Sequence, residues 1–100
     1  MGFCSVTIVP MGKTISISDT LAQCIKVLDD YPELEHEITP MSTQIEGPLD
    51  QILEAIEDMH EMAFEVGSNR VYTIITLDDR RDKDQTLEDR VSVIEEKLSV

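Results

Sequence analysis

Apolar and polar side chains alternate along residues 3–10, FCSVTIVP, and the run is rich in β-branched types. That pattern predicts a strand. A loop follows, MGKTIS, in which Gly12 is free to take backbone angles closed to other residues. Ser18 or Asp19 can cap the helix that comes next, and Leu21, Cys24, Ile25 and Leu28 then recur at helical spacing. Tyr31 ends it, because the residue before a proline avoids helical angles. Two short strand patterns come next, LEHEITP over residues 34–40 and TQIEG over 43–47, with a hairpin turn around Met41 and Ser42. Gly47 and Pro48 mark a new start, since proline suits a first helical turn. Leu49, Ile52, Leu53, Ile56, Met59 and Ala63 form one apolar stripe, which predicts a helix to about Val66 that Gly67 stops. RVYTIITL reads as a fourth strand and DDRRDKDQ as a charged loop. Thr86 with Asp89 has the form of a capping box, and Leu87, Val91, Ile94 and Leu98 carry a last helix.

The order is β-α-β-β-α-β with an extra C-terminal helix. It predicts one α+β domain over residues 1–100, of the ferredoxin-like class, with a four-stranded antiparallel sheet. Right-handed crossovers place the two main helices on one face of it. Alternation then assigns the sides. Cys4, Val6 and Ile8 turn inward, as do Ile38, Ile45 and Thr43. Ser5, Thr7 and Val9 turn outward with Glu37, Thr39, Met41, Gln44 and Glu46. The fourth strand is ambiguous, because Val71, Ile75 and Leu77 compete with Tyr72 and Ile74. The outward face mixes hydroxyls, carboxylates and a few apolar groups. Two readings stay open on this pattern: a plain solvated sheet face, or a half-covered surface that lines a site or meets another subunit.

Composition narrows the partners. In 100 residues, 41% are hydrophobic, which argues for a folded globule. There are 21 acidic side chains against 8 basic ones, a formal net charge of -13. Such a field repels phosphate backbones, so nucleic-acid partners are set aside, and anionic membrane surfaces with them. A cationic ligand is attracted. Two cysteines are too few for a disulfide scaffold in so short a chain. Cys4 and Cys24 read as free, buried thiols of a reducing, cytoplasmic setting. The first residues have no signal-peptide pattern, and no apolar run is long enough to span a membrane.

Catalytic and metal motifs are weak. Cys4, Cys24, His36 and His60 lack any spacing that zinc sites use, and HEMAF at His60 lacks the second histidine of a zincin. No serine sits in a nucleophile elbow. PMGKTIS has glycine, lysine and hydroxyls before a helix, but not the spacing of a phosphate-binding loop. The densest charge cluster is residues 78–83, DDRRDK. Asp78, Asp79, Arg80 and Arg81 read either as a self-neutralising loop or as a contact between subunits, arginine being suited to bidentate bonds with carboxylates.

Four stretches taken together carry a resemblance: VTIVPMG at 6–12, SIS at 16–18, TPMSTQIEG at 39–47 and LDDRRDK at 77–83. The chain resembles the thiamine-binding-protein family of small ferredoxin-like domains, over nearly its whole length. The resemblance implies a homotetramer built as a dimer of dimers. It also implies non-catalytic binding of thiamine, or of its hydroxymethylpyrimidine part, near subunit interfaces. Thiamine is then a ligand and not a catalytic cofactor, and no other cofactor or metal is implied.

The residues can be matched to that ligand. A thiazolium cation calls for a carboxylate or an aromatic face, which Glu46, Glu37 and Phe64 can supply. An aminopyrimidine calls for acceptors and donors, for which Glu46, Thr39, Thr43, Ser16 and Ser18 are candidates. Met41 can pack on a ring. Glu46 is the expected key contact, with Thr39 and Thr43 assisting. One departure stands out: the family's turn often holds glycine after the methionine, where this chain has Ser42. Lys13 is a second concern, as a positive charge near a cationic ligand. The alternative is a structural or regulatory oligomer that meets a protein partner and binds no small molecule. An enzyme using Glu46 as general base ranks behind both.

Overall fold

The computed structural model describes residues 2–12, 16–82 and 86–99, with the backbone alone at residue 87. The elements run β1 (Gly2–Met11), α1 (Ile17–Lys26), a 3-10 turn (Val27–Asp30), β2 (Glu35–Ile38), β3 (Thr43–Gly47), α2 (Leu49–Glu65), β4 (Arg70–Asp79) and α3 (Leu87–Leu98). The strands form one sheet in the order β2-β3-β1-β4, every neighbour antiparallel. This is the ferredoxin-like α+β architecture with an added C-terminal helix.

Both main helices cover one side. Cys4, Val6 and Ile8 of β1 and Ile45 of β3 are buried against Cys24 of α1 and Ile52, Ala55, Ile56, Met59 and Ala63 of α2. The apolar stripe of α2 is the cause: residues three and four apart share a face, and that face has nowhere drier to go. Pairing defines rows across the sheet. On the helix side Ile38, Thr43, Val6 and Ile75 form one row, and His36, Ile45, Cys4 and Leu77 the next. On the open side the rows are Glu35–Glu46–Phe3–Asp78 and Glu37–Gln44–Ser5–Thr76.

Several local expectations shift. Ser16, not Ser18 or Asp19, caps α1: its hydroxyl accepts the Asp19 N–H at 3.2 Å. Ile17 and Ser18 then belong to the first turn, and Asp19 closes the cap by accepting the Ser16 hydroxyl at 2.8 Å. Pro48 stands at the N-cap of α2 with extended backbone, one place before the first turn. β2 is shorter than its sequence pattern, since Leu34 is buried outside the strand and Thr39 enters the turn. Ile38 points to the helix side yet is 63% exposed, because β2 is an edge strand.

β4 extends through Asp78 and Asp79, which therefore sit in a strand and not in a loop. Its register with β1, running to Gly2 opposite Asp79, holds them there. The same register resolves its faces: Val71, Thr73, Ile75 and Leu77 lie on the helix side, Tyr72, Ile74 and Thr76 on the open side. The capping box of α3 is present, with Thr86 and Asp89 exchanging bonds of 3.0 Å. α3 meets the open face of the sheet at one end: Arg90 lies 4.1 Å over the Phe3 ring and 2.8 Å from Asp78. That cover is why Phe3 is buried on the otherwise open side. Among the described residues no helix is long and apolar enough to cross a membrane.

Candidate functional site

The β2–β3 turn shapes a partly enclosed hollow. Pro40 sets one turn angle through its ring. The Thr39 N–H donates to the Ser42 carbonyl at 2.9 Å, and the Thr39 hydroxyl donates to the same oxygen at 2.7 Å. The Ser42 N–H in turn donates to that hydroxyl at 3.1 Å. Ser42 is further held through its own hydroxyl, which accepts from Ser5 and from the Gln44 amide at 2.8 Å each. Serine in place of glycine is thus accommodated without a left-handed backbone, since no residue other than glycine has positive φ among those described. It also ties the turn to β1.

Under this turn, between α1 and the sheet, lies a hollow of about 220 Å³. Val6 and Ile8 of β1, Leu21, Cys24 and Ile25 of α1, and Met59 of α2 line it from within. Ile38 and residues 39–43 close the other side. No charged side chain lines it. Thr43 is only 7% exposed, and its hydroxyl has no hydrogen bond to any described residue. The Thr39 hydroxyl, by contrast, is fully engaged in the turn. Burial pushes the Cys24 thiol above its ordinary pKa, so this group stays a neutral thiol at neutral pH.

The other expected site residues fall elsewhere. Glu37 and Glu46 line a second, shallower hollow of about 370 Å³ with Glu35, His36, Glu88 and Val91, beside α3. Ser18 lines an apolar groove on the outer side of α1, with Leu21, Ile25 and Ile38. Ser16 is occupied as the cap of α1. Phe64 stands on α2 against His60, ring centroids 5.5 Å apart at 68°, and His60 Nδ1 is 2.7 Å from the Thr73 hydroxyl. So Thr39, Met41 and Thr43 come together, Glu37 and Glu46 come together, and the two sets are apart. Within the charged cluster Arg80 pairs with Asp82 at 2.6 Å and Arg81 with Asp79 at 2.8 Å, while Asp78 pairs outside it with Arg90 of α3. The Arg81 guanidinium holds the Asp79 carboxyl below its usual pKa. Lys13 and Lys83 lie outside the described residues, as do three of the seven residues of the phosphate-loop-like stretch, 13–15. Among the described residues no three His, Cys, Asp or Glu side chains group as metal ligands.

Val6, Ile8, Leu21, Cys24, Ile25 and Met59 are lining residues that the sequence pattern placed on inward, apolar faces. They are core residues by every local signal. Only the gap between α1 and the turn, a tertiary feature, turns one side of them into a wall.

A family model described as "Thiamine-binding protein" matches residues 4–95. The chain belongs to that family. Among the family's relatives, the UPF0045 protein YqgV of Bacillus subtilis is 39% identical over 98% of both chains. A UPF0045 protein of Methanothermobacter thermautotrophicus is 37% identical over 93% of this chain and 95% of its own. The crystal structure of MJ1052 from Methanocaldococcus jannaschii has a TM-score of 0.85 at 34% identity, covering 95% of this chain and 96% of that one.

Proposed function

We propose that this member of the thiamine-binding-protein family binds hydroxymethylpyrimidine, or thiamine through its pyrimidine half, in the hollow under the β2–β3 turn. The observation that carries this is Thr43: the residue is mostly buried, and its hydroxyl is open to an uncharged hollow and not committed to any described partner. A hydroxyl can both donate and accept, which suits the amino group and ring nitrogens of an aminopyrimidine. Apolar walls with the sulfurs of Cys24, Met59 and Met41 suit a flat, methyl-bearing ring. Sites for drug-sized ligands run about 300–1,000 Å³, so a hollow of about 220 Å³ fits one ring better than a whole vitamin. The thiazolium cation is then left outside, in the field of a chain of net charge -13.

The role is binding, not catalysis. The thiol in the hollow is neutral, and no acid–base pair lines the walls. We place the protein in the cytoplasm, as a homotetramer, with Glu46 reaching a ligand only where a second subunit brings one beside it. Isothermal titration calorimetry tests the reading. Hydroxymethylpyrimidine and thiamine are expected to bind at micromolar level or tighter, about -8 kcal/mol or better. No heat from either, with folded and assembled protein, overturns it.

A further inference from the structure

β1 pairs with β3 only as far as Val6, opposite Thr43. Beyond Val6 the β2–β3 turn lies along β1, and side chains join the two. The Thr7 hydroxyl donates to the Met41 carbonyl at 3.2 Å. One row back, the Ser42 hydroxyl accepts from the Ser5 hydroxyl and from the Gln44 amide at 2.8 Å each. That amide also lies 3.3 Å from the Ser5 hydroxyl. Ser5 and Gln44 stand opposite each other in the β1–β3 register, so the sheet fixes the place of both donors. The bonds between Thr39 and Ser42 close the turn on itself and do not join it to β1.

We infer that Ser5 and Gln44, acting through Ser42, are positioning residues for the hollow on the other side of the sheet: they hold its roof against β1 and so favour a single flat ring over a larger ligand. Met41 and Ser42 both line the hollow, and neither Ser5 nor Gln44 does. The two anchors grip one peptide unit, the Met41 carbonyl at one end and Ser42 at the other. The next residue is Thr43, whose hydroxyl opens into the hollow. Met41 is 84% exposed, so packing of its side chain does little to fix the roof, and the hydrogen bonds do it instead.

Selection by size follows from that hold. A roof already in place loses little freedom when a ligand slides under it, and pre-organisation of this kind raises affinity. A ligand too large for a hollow of about 220 Å³ must lift the roof, which breaks the bonds to Ser42 first. Loosening the roof therefore removes an advantage from the small ligand and an obstacle from the large one. What the hollow holds rests on the ligand reading above; the hold on the turn does not.

The double variant Ser5→Ala/Gln44→Leu tests it, since it removes both donors to Ser42 and touches no wall of the hollow. Thr76→Val is the control, in the same open-face row as Ser5 and Gln44 but without a bond to the described residues of the turn. Amide hydrogen exchange of the ligand-free full chain reads the hold directly. The Thr39 amide, bonded across the turn to the Ser42 carbonyl, is expected to lose roughly five- to tenfold of its protection in the double variant. It is expected to keep it in Thr76→Val. Calorimetry then reads the selection. The double variant is expected to bind hydroxymethylpyrimidine roughly five- to tenfold more weakly and thiamine less than about twofold more weakly. A fold loosened in general weakens both alike. Unchanged Thr39 protection overturns the inference, as does a ratio of the two affinities that stays at its wild-type value, or a Thr76→Val protein that behaves like the double variant. If the wild type binds neither ligand while Thr39 protection still falls, the ligand reading fails and the hold on the turn stands.

Discussion

Thr43 and Glu46 share the short strand β3 and face opposite sides of the sheet: Thr43 stands beside Val6 and Ile38 under the helices, Glu46 beside Phe3 and Glu35 on the open side. A small ligand held by one within a subunit does not touch the other. Thr43→Val keeps the shape and removes the hydroxyl. It is expected to weaken hydroxymethylpyrimidine binding roughly five- to tenfold, the worth of one hydrogen bond. Glu46→Gln is expected to change that affinity by less than about twofold. Calorimetry on both variants decides. Equal losses mean that the site is built across two subunits, with the partner's Glu46 completing it.

The buried thiols give the fold an alkaline limit. Burial pushes Cys4 from 9.0 to about 11, and Cys24 moves the same way. The Tyr31 hydroxyl, bonded to the Asp58 carboxylate, is pushed up to about 12. A group whose pKa is higher in the folded state loses nothing below its unfolded value. Stability is therefore intact to about pH 9 and falls as pH rises toward 11, when the unfolded chain ionises first. For Cys4 the full loss is about 2–3 kcal/mol. Urea midpoints of the wild type and Cys4→Val, compared at pH 8 and pH 10.5, measure it. The wild type is expected to lose more than the variant.

Much of this was legible in the chain. Cys4, Val6 and Ile8 alternate with polar residues, so strand parity alone set the core face of β1. The stripe from Ile52 to Ala63 set the buried face of α2, and Thr86 with Asp89 announced the start of α3. β4 was not legible because it is apolar on both faces, and local periodicity cannot choose a side that only the register with β1 decides. Its end was missed for the same reason: Asp78 and Asp79 are poor strand formers held in place by Phe3 and Gly2. The hollow was invisible because Cys24 and Met59 follow the same periodicity whether they meet a side chain or a cavity. The parity separating Thr43 from Glu46 was readable, but nothing local shows that this separation divides two hollows.

Gly47 tests how tightly the β3–α2 junction is built. Its φ is 151°, and a Cβ there meets Leu34 Cδ2 at 2.6 Å and the Glu33 carbonyl at 3.2 Å. Leu34 is itself buried in the core, so it has little room to yield. Gly47→Ala is expected to destabilise the fold by about 1–3 kcal/mol, the range for a side chain forced into a glycine conformation. Urea denaturation reads it. An unchanged midpoint means that the loop before β2 shifts freely.

Arg90 is the main tie between α3 and the sheet, over Phe3 at 4.1 Å and beside Asp78 at 2.8 Å. Both contacts are partly open to water, which keeps each modest. A cation over an aromatic face at such a site is worth about 0.5–1 kcal/mol, and an exposed ion pair about 0.2–1 kcal/mol. Arg90→Ala is therefore expected to cost about 1 kcal/mol in global stability. Its larger effect falls on α3, which holds few other contacts and opens separately from the core. Amide hydrogen exchange in residues 90–98 is expected to speed up while α2 stays protected. Arg90→Lys keeps the charge but not the planar stack, and is expected to recover only part of the protection. Equal exchange in all three proteins means that the apolar side of α3, Val91 and Ile94 included, is held by something other than Arg90.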